Sequence, residues 1–221
     1  MDVKTAKEIT GGLSNTTKMP GASYSLPASA CITGSKLRAV AGSVCSKCYA
    51  CKGTYRYPVV KKCLEKRLAS LTDPGWTVAM FVLINEEVRK HLETGKWFRW
   101  HDSGDIQSVQ HLQNIFDVVK ALPNVHFWLP TKELNILKMW LSKNPEILPP
   151  SNVTIRISAS MIDYTLKASG FPTSAVATAN FDDTIADVPV HHCPAPSQEG
   201  QCKDCRACWD KNVPLVAYHI H

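Results

Sequence analysis

The sequence predicts an α/β fold: a partial or small (βα) barrel of parallel strands with a cysteine-rich, metal-binding C-terminal segment. Three observations carry that expectation. Strand-like runs, polar tips and helical periodicity alternate between residues 97 and 160, the order of βα units and a parallel sheet. A length of 221 residues, 44% hydrophobic and 20% charged, suits one sizeable globular domain or two small ones. Nine cysteines, an odd number, fall in two groups, which points to metal ligation rather than disulfide pairing. The expected organisation is a barrel-like domain over residues 1–190, with a cysteine loop near its start. A tail over residues 191–221 packs on the same domain.

Residues 4–23 are rich in Gly, Ser, Thr and Lys and read as an irregular opening segment. The weak alternation of Ser23-Tyr-Ser-Leu-Pro27 suits a first short strand. Gly34, Lys36, Arg38 and Gly42 make the stretch between Cys31 and Cys45 a basic, flexible loop. Over residues 58–71, Val59, Val60, Cys63, Leu64, Leu68 and Leu71 recur at three- and four-residue steps, which predicts a helix. Cys63 lies on its apolar side and reads as core, because a free thiol behaves as a small hydrophobe. A second helix is expected over 75–93, with Val78, Met80, Phe81, Ile84 and Val88 apolar. Strands at 97–100, 125–129 and 153–157 follow, with helices at 109–122 and 134–142 between them. Further strands are expected at 174–179 and 213–218.

The chemistry concentrates in the cysteines. Cys193, Cys202, Cys205 and Cys208 have the spacing C-x8-C-x2-C-x2-C, and a C-x2-C pair lets two sulfurs reach one centre. Four thiolates satisfy an iron–sulfur cluster or a tetrahedral zinc. The single Cys standing apart from a run of three favours the cluster, with a zinc clip as the alternative. Cys45-Ser-Lys-Cys48-Tyr-Ala-Cys51 repeats the C-x2-C-x2-C rhythm near the start, with Cys31 upstream. His191 and His192 precede Cys193 and read as outer neighbours of the metal or as surface, while Trp209 reads as a solvent shield.

The strand tips supply the polar candidates. His101, Asp102 and Asp105 group an imidazole, two carboxylates and Gly104, a set suited to acid–base work. The bland alternative is that Asp102 or Ser103 caps a turn while His101 packs on Trp100. Residues 103–105 equally suit a cap for the helix that begins near Ser108. Lys132 and Glu133 read as catalytic or as a surface ion pair of little worth. Arg156, if it points inward, needs an anionic partner such as Asp105 or a ligand carboxylate.

The formal charge of +6 is mild, compatible with a nucleotide or nucleic acid but evidence for neither. No apolar run approaches a membrane span and the N-terminus lacks a signal-peptide core, so a soluble, cytoplasmic protein is expected. No Gly-rich phosphate loop, nucleophile elbow or nucleic-acid-binding signature is present.

Several long motifs resemble the bacteriophage family named after mycobacteriophage gene product 88. They are Ser23-Tyr-Ser-Leu-Pro27, Cys48-Tyr-Ala50 with Lys52-Gly53-x-Tyr55-x-Tyr57-Pro58, and Arg99-Trp-His-Asp-Ser-Gly-Asp105. Phe127-Trp-Leu-Pro-Thr-Lys-Glu133 and the stretch from Cys193-Pro-Ala to Cys208-Trp209 complete the set. The resemblance covers most of the chain and implies a phage or prophage origin, hence the host cytoplasm; it implies no activity.

A second resemblance, in architecture, is to the radical S-adenosylmethionine enzymes, which place three Cys after the first strand of a partial βα barrel. It implies a [4Fe–4S] cluster on Cys31, Cys45 and Cys48, with one iron free for the cofactor's methionine end. Ser103, Gly104 and Asp105 are similar in place to the contact for the cofactor's amino group, and Ser158 and Ser160 to later cofactor contacts. The spacing departs from that family's C-x3-C-x2-C: here it is C-x13-C-x2-C, or C-x2-C-x2-C if Cys51 replaces Cys31.

Three functions are therefore expected in competition. The first is a two-cluster enzyme of radical S-adenosylmethionine-like architecture, its C-terminal cluster fully ligated. The second is a non-redox cluster enzyme that uses an open iron as a Lewis acid or to carry sulfur. The third is a zinc-stapled accessory protein that binds a host protein or nucleic acid. For the enzymes a small-molecule or nucleotide substrate is expected at the strand tips, where Asp102, Asp105, Lys132, Glu133 and Ser158 should share a cavity.

Overall fold

The computed structural model describes residues 1–167 and 170–220. Its centre is an eight-stranded sheet: β1 (Ser14–Asn15), β2 (Ala22–Tyr24), β3 (Trp97–Trp100), β4 (His126–Thr131), β5 (Val153–Ile162), β6 (Thr173–Ala177), β7 (Val190–His192) and β8 (Leu215–His219). The spatial order is β1-β2-β3-β4-β5-β6-β8-β7, with only the β1–β2 pair antiparallel. The sheet does not close: β1 and β7 are its edges. The partial (βα) barrel expected from the alternating pattern is thus present in open form.

Six α-helices accompany it: α1 (Val3–Thr10), α2 (Ile32–Leu37), α3 (Pro58–Ser70), α4 (Trp76–Lys90), α5 (Val109–Ala121) and α6 (Leu134–Lys143). Side chains alternate across each strand, so every strand has two audiences. Phe98, Trp100, Phe127, Leu129, Ile155 and Ile157 face one way, into a core shared with Trp76, Met80 and Ile84 of α4, Leu112 and Phe116 of α5, and Trp140 of α6. Full burial of each such side chain stabilises the fold by about 1.5–3 kcal/mol. The other, inner face carries Trp128 and Val216, which pack with Ala207, Cys208 and Trp209 of the C-terminal segment.

Three stretches differ from the sequence expectation. The opening segment is not irregular: α1 is capped by Asp2, whose carboxylate accepts from Thr5 N–H at 2.7 Å, and ended by Gly11 at φ 78°. Its Ala6 is buried with Ala79 and Leu83 of α4. The stretch after Cys31 holds the short helix α2 rather than a free loop. The tail is part of the sheet, because β8 inserts between β6 and β7. Cys63 is half-buried and its thiol faces Gly11 O at 3.8 Å, at the edge of the core.

Candidate functional site

The carboxyl ends of β3, β4 and β5 form a mouth, and the N-terminal cysteine segment lies across it. Glu133, 4% exposed, grips that segment: its two oxygens accept from Thr33 N–H and Thr33 Oγ1, each at 2.7 Å. Ser43 bridges Met161 at the end of β5, with Ile162 N–H donating to Gly42 O at 3.0 Å. On the β3 side, the Tyr49 hydroxyl donates to Asp102 O, and Tyr55 Oη donates to Asp102 Oδ2 at 3.3 Å. Three strand tips therefore hold one loop.

Asp105 organises the tips. Its Oδ1 accepts from Thr131 Oγ1 at 2.6 Å and Ile106 N–H at 2.8 Å, and its Oδ2 from Lys132 N–H at 2.9 Å. Burial raises its pKa to about 6, against the pull of those three hydrogen bonds. Asp105 does not cap α5, whose first turn is held by Ser108 Oγ accepting from His111 N–H.

The thiols of the mouth are neighbours. Cys31 is the N-cap residue of α2, and a Cβ built at Gly34 would stand 3.6 Å from Cys31 Sγ and 3.5 Å from Cys45 Sγ. Both sulfurs thus flank one glycine, whose missing side chain leaves the space between them open. Burial, reinforced by the nearby charges of Asp105, Cys48, Cys45 and Glu133, pushes the Cys31 thiol up to about 12. Burial raises Cys45 and Cys48 as well; Cys48 is also in contact with Cys51, the exposed member. A cavity of about 340 Å³ opens beside Cys51, lined among others by Ser29, Arg38, Tyr55, Arg56 and Lys61.

The second thiol group lies at the other end of the inner face. Arg156, fully buried in β5, donates to Thr173 O, Val213 O, Ala207 O and Asp210 O at 2.8–3.1 Å. Thr154 Oγ1 donates to Trp209 O at 2.6 Å, and Trp209 Nε1 to Phe98 O at 2.9 Å. These bonds seat Cys208 against the sheet, 3.2 Å from Tyr218 Oη, and burial pushes its thiol up to about 12. Cys205 Sγ lies 3.5 Å from His191 Nε2. Cys193 and Cys202 are raised, first by burial and then by their fellow thiols, Cys205 among them. Arg156 thus points inward, as one reading required, but its partners are four carbonyls and not Asp105.

Several candidates stand elsewhere than expected. His101, at φ 56°, is 3% exposed and packs on Trp100 and His111, at ring distances of 6.3 and 5.4 Å. Burial holds its pKa well below the usual imidazole range, so it is a neutral interior group and no proton shuttle at the mouth. Ser103 and Gly104 face Leu26: Ser103 Oγ donates to Leu26 O at 2.8 Å, and a Cβ on Gly104 would meet Leu26 Cβ at 2.5 Å. Neither is presented to a ligand, because the tip is used to pack the loop after β2. Lys132 and Glu133 form no ion pair with each other, since Glu133 is committed to Thr33. Ser158 and Ser160 are half-buried on β5, and Ser158 Oγ accepts from Ser174 Oγ at 3.3 Å. The 340 Å³ cavity is lined by none of Asp102, Asp105, Lys132, Glu133 or Ser158. Thr33, Tyr49, Tyr55 and Arg99, which shape both ends of the inner face, were not among the expected residues. The run Lys52-Gly53-x-Tyr55-x-Tyr57 was the available signal for the tyrosines.

All nine cysteines are free thiols. Among the described residues, no three Cys, His, Asp or Glu side chains converge as ligands on one point. The donor chemistry nonetheless suits a metal: each group brings four cysteines together, and soft thiolates select iron–sulfur clusters or zinc. The thiols of raised pKa would give up protons to a metal, which couples its binding to pH.

Comparison with known proteins is narrow in outcome. No curated protein and no solved structure matches the chain. A family model described as gene product 88 matches residues 2–211, and that span takes in both thiol groups and all the strands but the last. The chain belongs to the gene product 88 family.

Proposed function

We propose that this is a phage iron–sulfur protein with two centres at opposite ends of one sheet face. The N-terminal centre would be held by Cys31, Cys45 and Cys48, and the C-terminal centre by Cys193, Cys202, Cys205 and Cys208. The observation that carries the reading is the placement of the first group: four thiols lie across the mouth of a parallel sheet, beside Asp105 and Glu133. That mouth is where βα folds put their chemistry. A cluster bound there with an iron lacking a Cys ligand supplies one-electron or Lewis-acid chemistry.

The chain's own residues would do the rest. Glu133 and Asp102 hold the cysteine segment shut over the strand tips. Arg38, Arg56 and Lys61 give the cavity beside Cys51 a cationic lining suited to an anionic small molecule, a nucleotide among them. The expected contact for an S-adenosylmethionine amino group does not fit. Ser103 and Gly104 are packed on Leu26, and both Asp105 oxygens already accept protein hydrogen bonds. The open-iron reading is therefore kept without a step through that cofactor. A reducing compartment such as the host cytoplasm would keep the thiols available; no described helix is long and apolar enough to cross a membrane.

Anaerobic purification with iron, sulfide and zinc analysis tests this reading. A brown protein containing iron and sulfide is expected, with the N-terminal centre kept in Cys51→Ala and lost in Cys48→Ala. A colourless protein carrying only zinc would replace it with the stapled accessory protein. Loss of the centre in Cys51→Ala would show a closed site and remove the open-iron chemistry.

A further inference from the structure

The inner face buries two guanidinium groups that have no carboxylate. Arg156 is fully buried, and all four of its hydrogen bonds go to neutral backbone carbonyls. Arg99 of β3 lies 4.3 Å over the Trp128 ring, and its Nη1 faces Met19 Sδ at 3.7 Å. The Nε atoms of both are enclosed without a partner. Neither forms an ion pair among the described residues. A buried cation without a counterion is strongly disfavoured, because water's stabilisation is lost and nothing replaces it. Carbonyl dipoles replace part of it for Arg156; Arg99 has only a sulfur and a ring.

What the two share is a neighbour. Arg156 Nη2 donates to Ala207 O, the residue before Cys208, at 3.0 Å. Trp128, the ring beneath Arg99, packs in one cluster with Cys208, Cys205 and Cys193. The charges of both guanidiniums act on Cys208, and that of Arg99 also acts on Cys202. Four thiolates around one divalent metal, or around a [4Fe–4S] core of charge +2, carry a net charge of −2 in either case. That is the charge two guanidiniums neutralise.

We infer that Arg99 and Arg156 are the counterions of a dianionic, four-thiolate centre in the C-terminal cysteine group. The inference rests on the metal reading above and narrows it. Replacement of one thiolate by neutral His191, which stands 3.5 Å from Cys205, would leave a charge of −1 and one cation unbalanced. Arg99 is then a positioning residue that acts through the electrostatics of the site, touching none of the ligands' covalent chemistry. Arg156 has a second task in seating the loop, so Arg99 is the cleaner probe.

The experiment is a chelator challenge on the purified full chain, with the metal of this centre identified as the fraction absent from Cys205→Ala. Arg99→Met, which keeps the stem over Trp128 but removes the charge, should retain that metal 10–100-fold less tightly against EDTA. Arg99→Lys should stay close to the parent. If Arg99→Met does not fold, Arg99→Gln serves the same comparison. If the parent holds no metal that Cys205→Ala removes, the C-terminal centre itself is wrong and the inference falls with it. If that metal is present but Arg99→Met or Arg99→Gln holds it as tightly as the parent, the counterion role is wrong while the centre stands. Equal weakening in Arg99→Lys would make the contribution one of shape, which also overturns it. His191→Ala should leave this metal in place; its loss would make His191 a ligand and the dianion untenable.

Discussion

Single side chains at the mouth are committed to protein partners. Glu133 is a buried carboxylate whose two oxygens are both taken by Thr33. Hydrogen bonds to a charged group contribute about 1.5–3 kcal/mol, more than neutral ones. Glu133→Ala should therefore loosen the cysteine segment locally while the sheet stays folded. Faster hydrogen exchange at the Thr33 amide and new tryptic cleavage at Lys36 or Arg38 would register it. An unchanged exchange rate would show that Thr33 is held by something else. Asp105 differs from Glu133 in reaching only its own end of the sheet: it joins the tips of β3 and β4, and the cysteines feel its charge.

Among the elements, the C-terminal cysteine segment depends most on side-chain contacts. Between β7 and β8 it has only short 3-10 turns, so its place on the inner face is set by Arg156, Thr154 and Trp209. Arg156→Leu would leave four buried carbonyls without donors and should cost at least about 3 kcal/mol. The measurements are a urea unfolding midpoint and trypsin accessibility at Lys203 and Arg206. Parent-like values in both would mean that the segment is held by its thiol centre alone. The N-terminal element α1 offers a contrast, since its signals were local and complete in the sequence: Asp2 as cap, Ala6 on the buried face, Gly11 as stop. The Gly, Ser and Thr around it masked a helix of only eight residues.

At the scale of the whole molecule, the interior carries an acid sensitivity. Burial lowers the His111 pKa to about 3, from an ordinary imidazole value of 6.5. The unfolded chain thus takes up a proton that the folded chain refuses. The contribution is full above about pH 6.5 and is lost as pH falls toward about 3, on the order of 4–5 kcal/mol in all. His101 acts in the same direction. Asp105 acts oppositely between about pH 4 and 6, because its folded-state pKa is raised. His111→Asn preserves an acceptor for Gln107 N–H, now bound to Nδ1 at 3.2 Å, and should flatten the acid limb of stability. Unfolding measured at pH 7 and pH 4.5 in both proteins decides this, and equal losses would assign the acid limb to other groups. The sequence by itself determined the α/β class, because period-2 and period-3.6 patterns are local and the strands at 97–100, 153–157 and 213–218 announce themselves within a few residues. It also determined the two thiol groups, whose spacing is a local property. Only the tertiary structure decided that those groups face each other across one sheet face, that β8 enters between β6 and β7, and that His101 is interior. Alternation assigns residues to opposite faces without saying what covers each face. Trp128 and Arg99 read alike as strand residues until a segment more than seventy residues further along the chain packs over them.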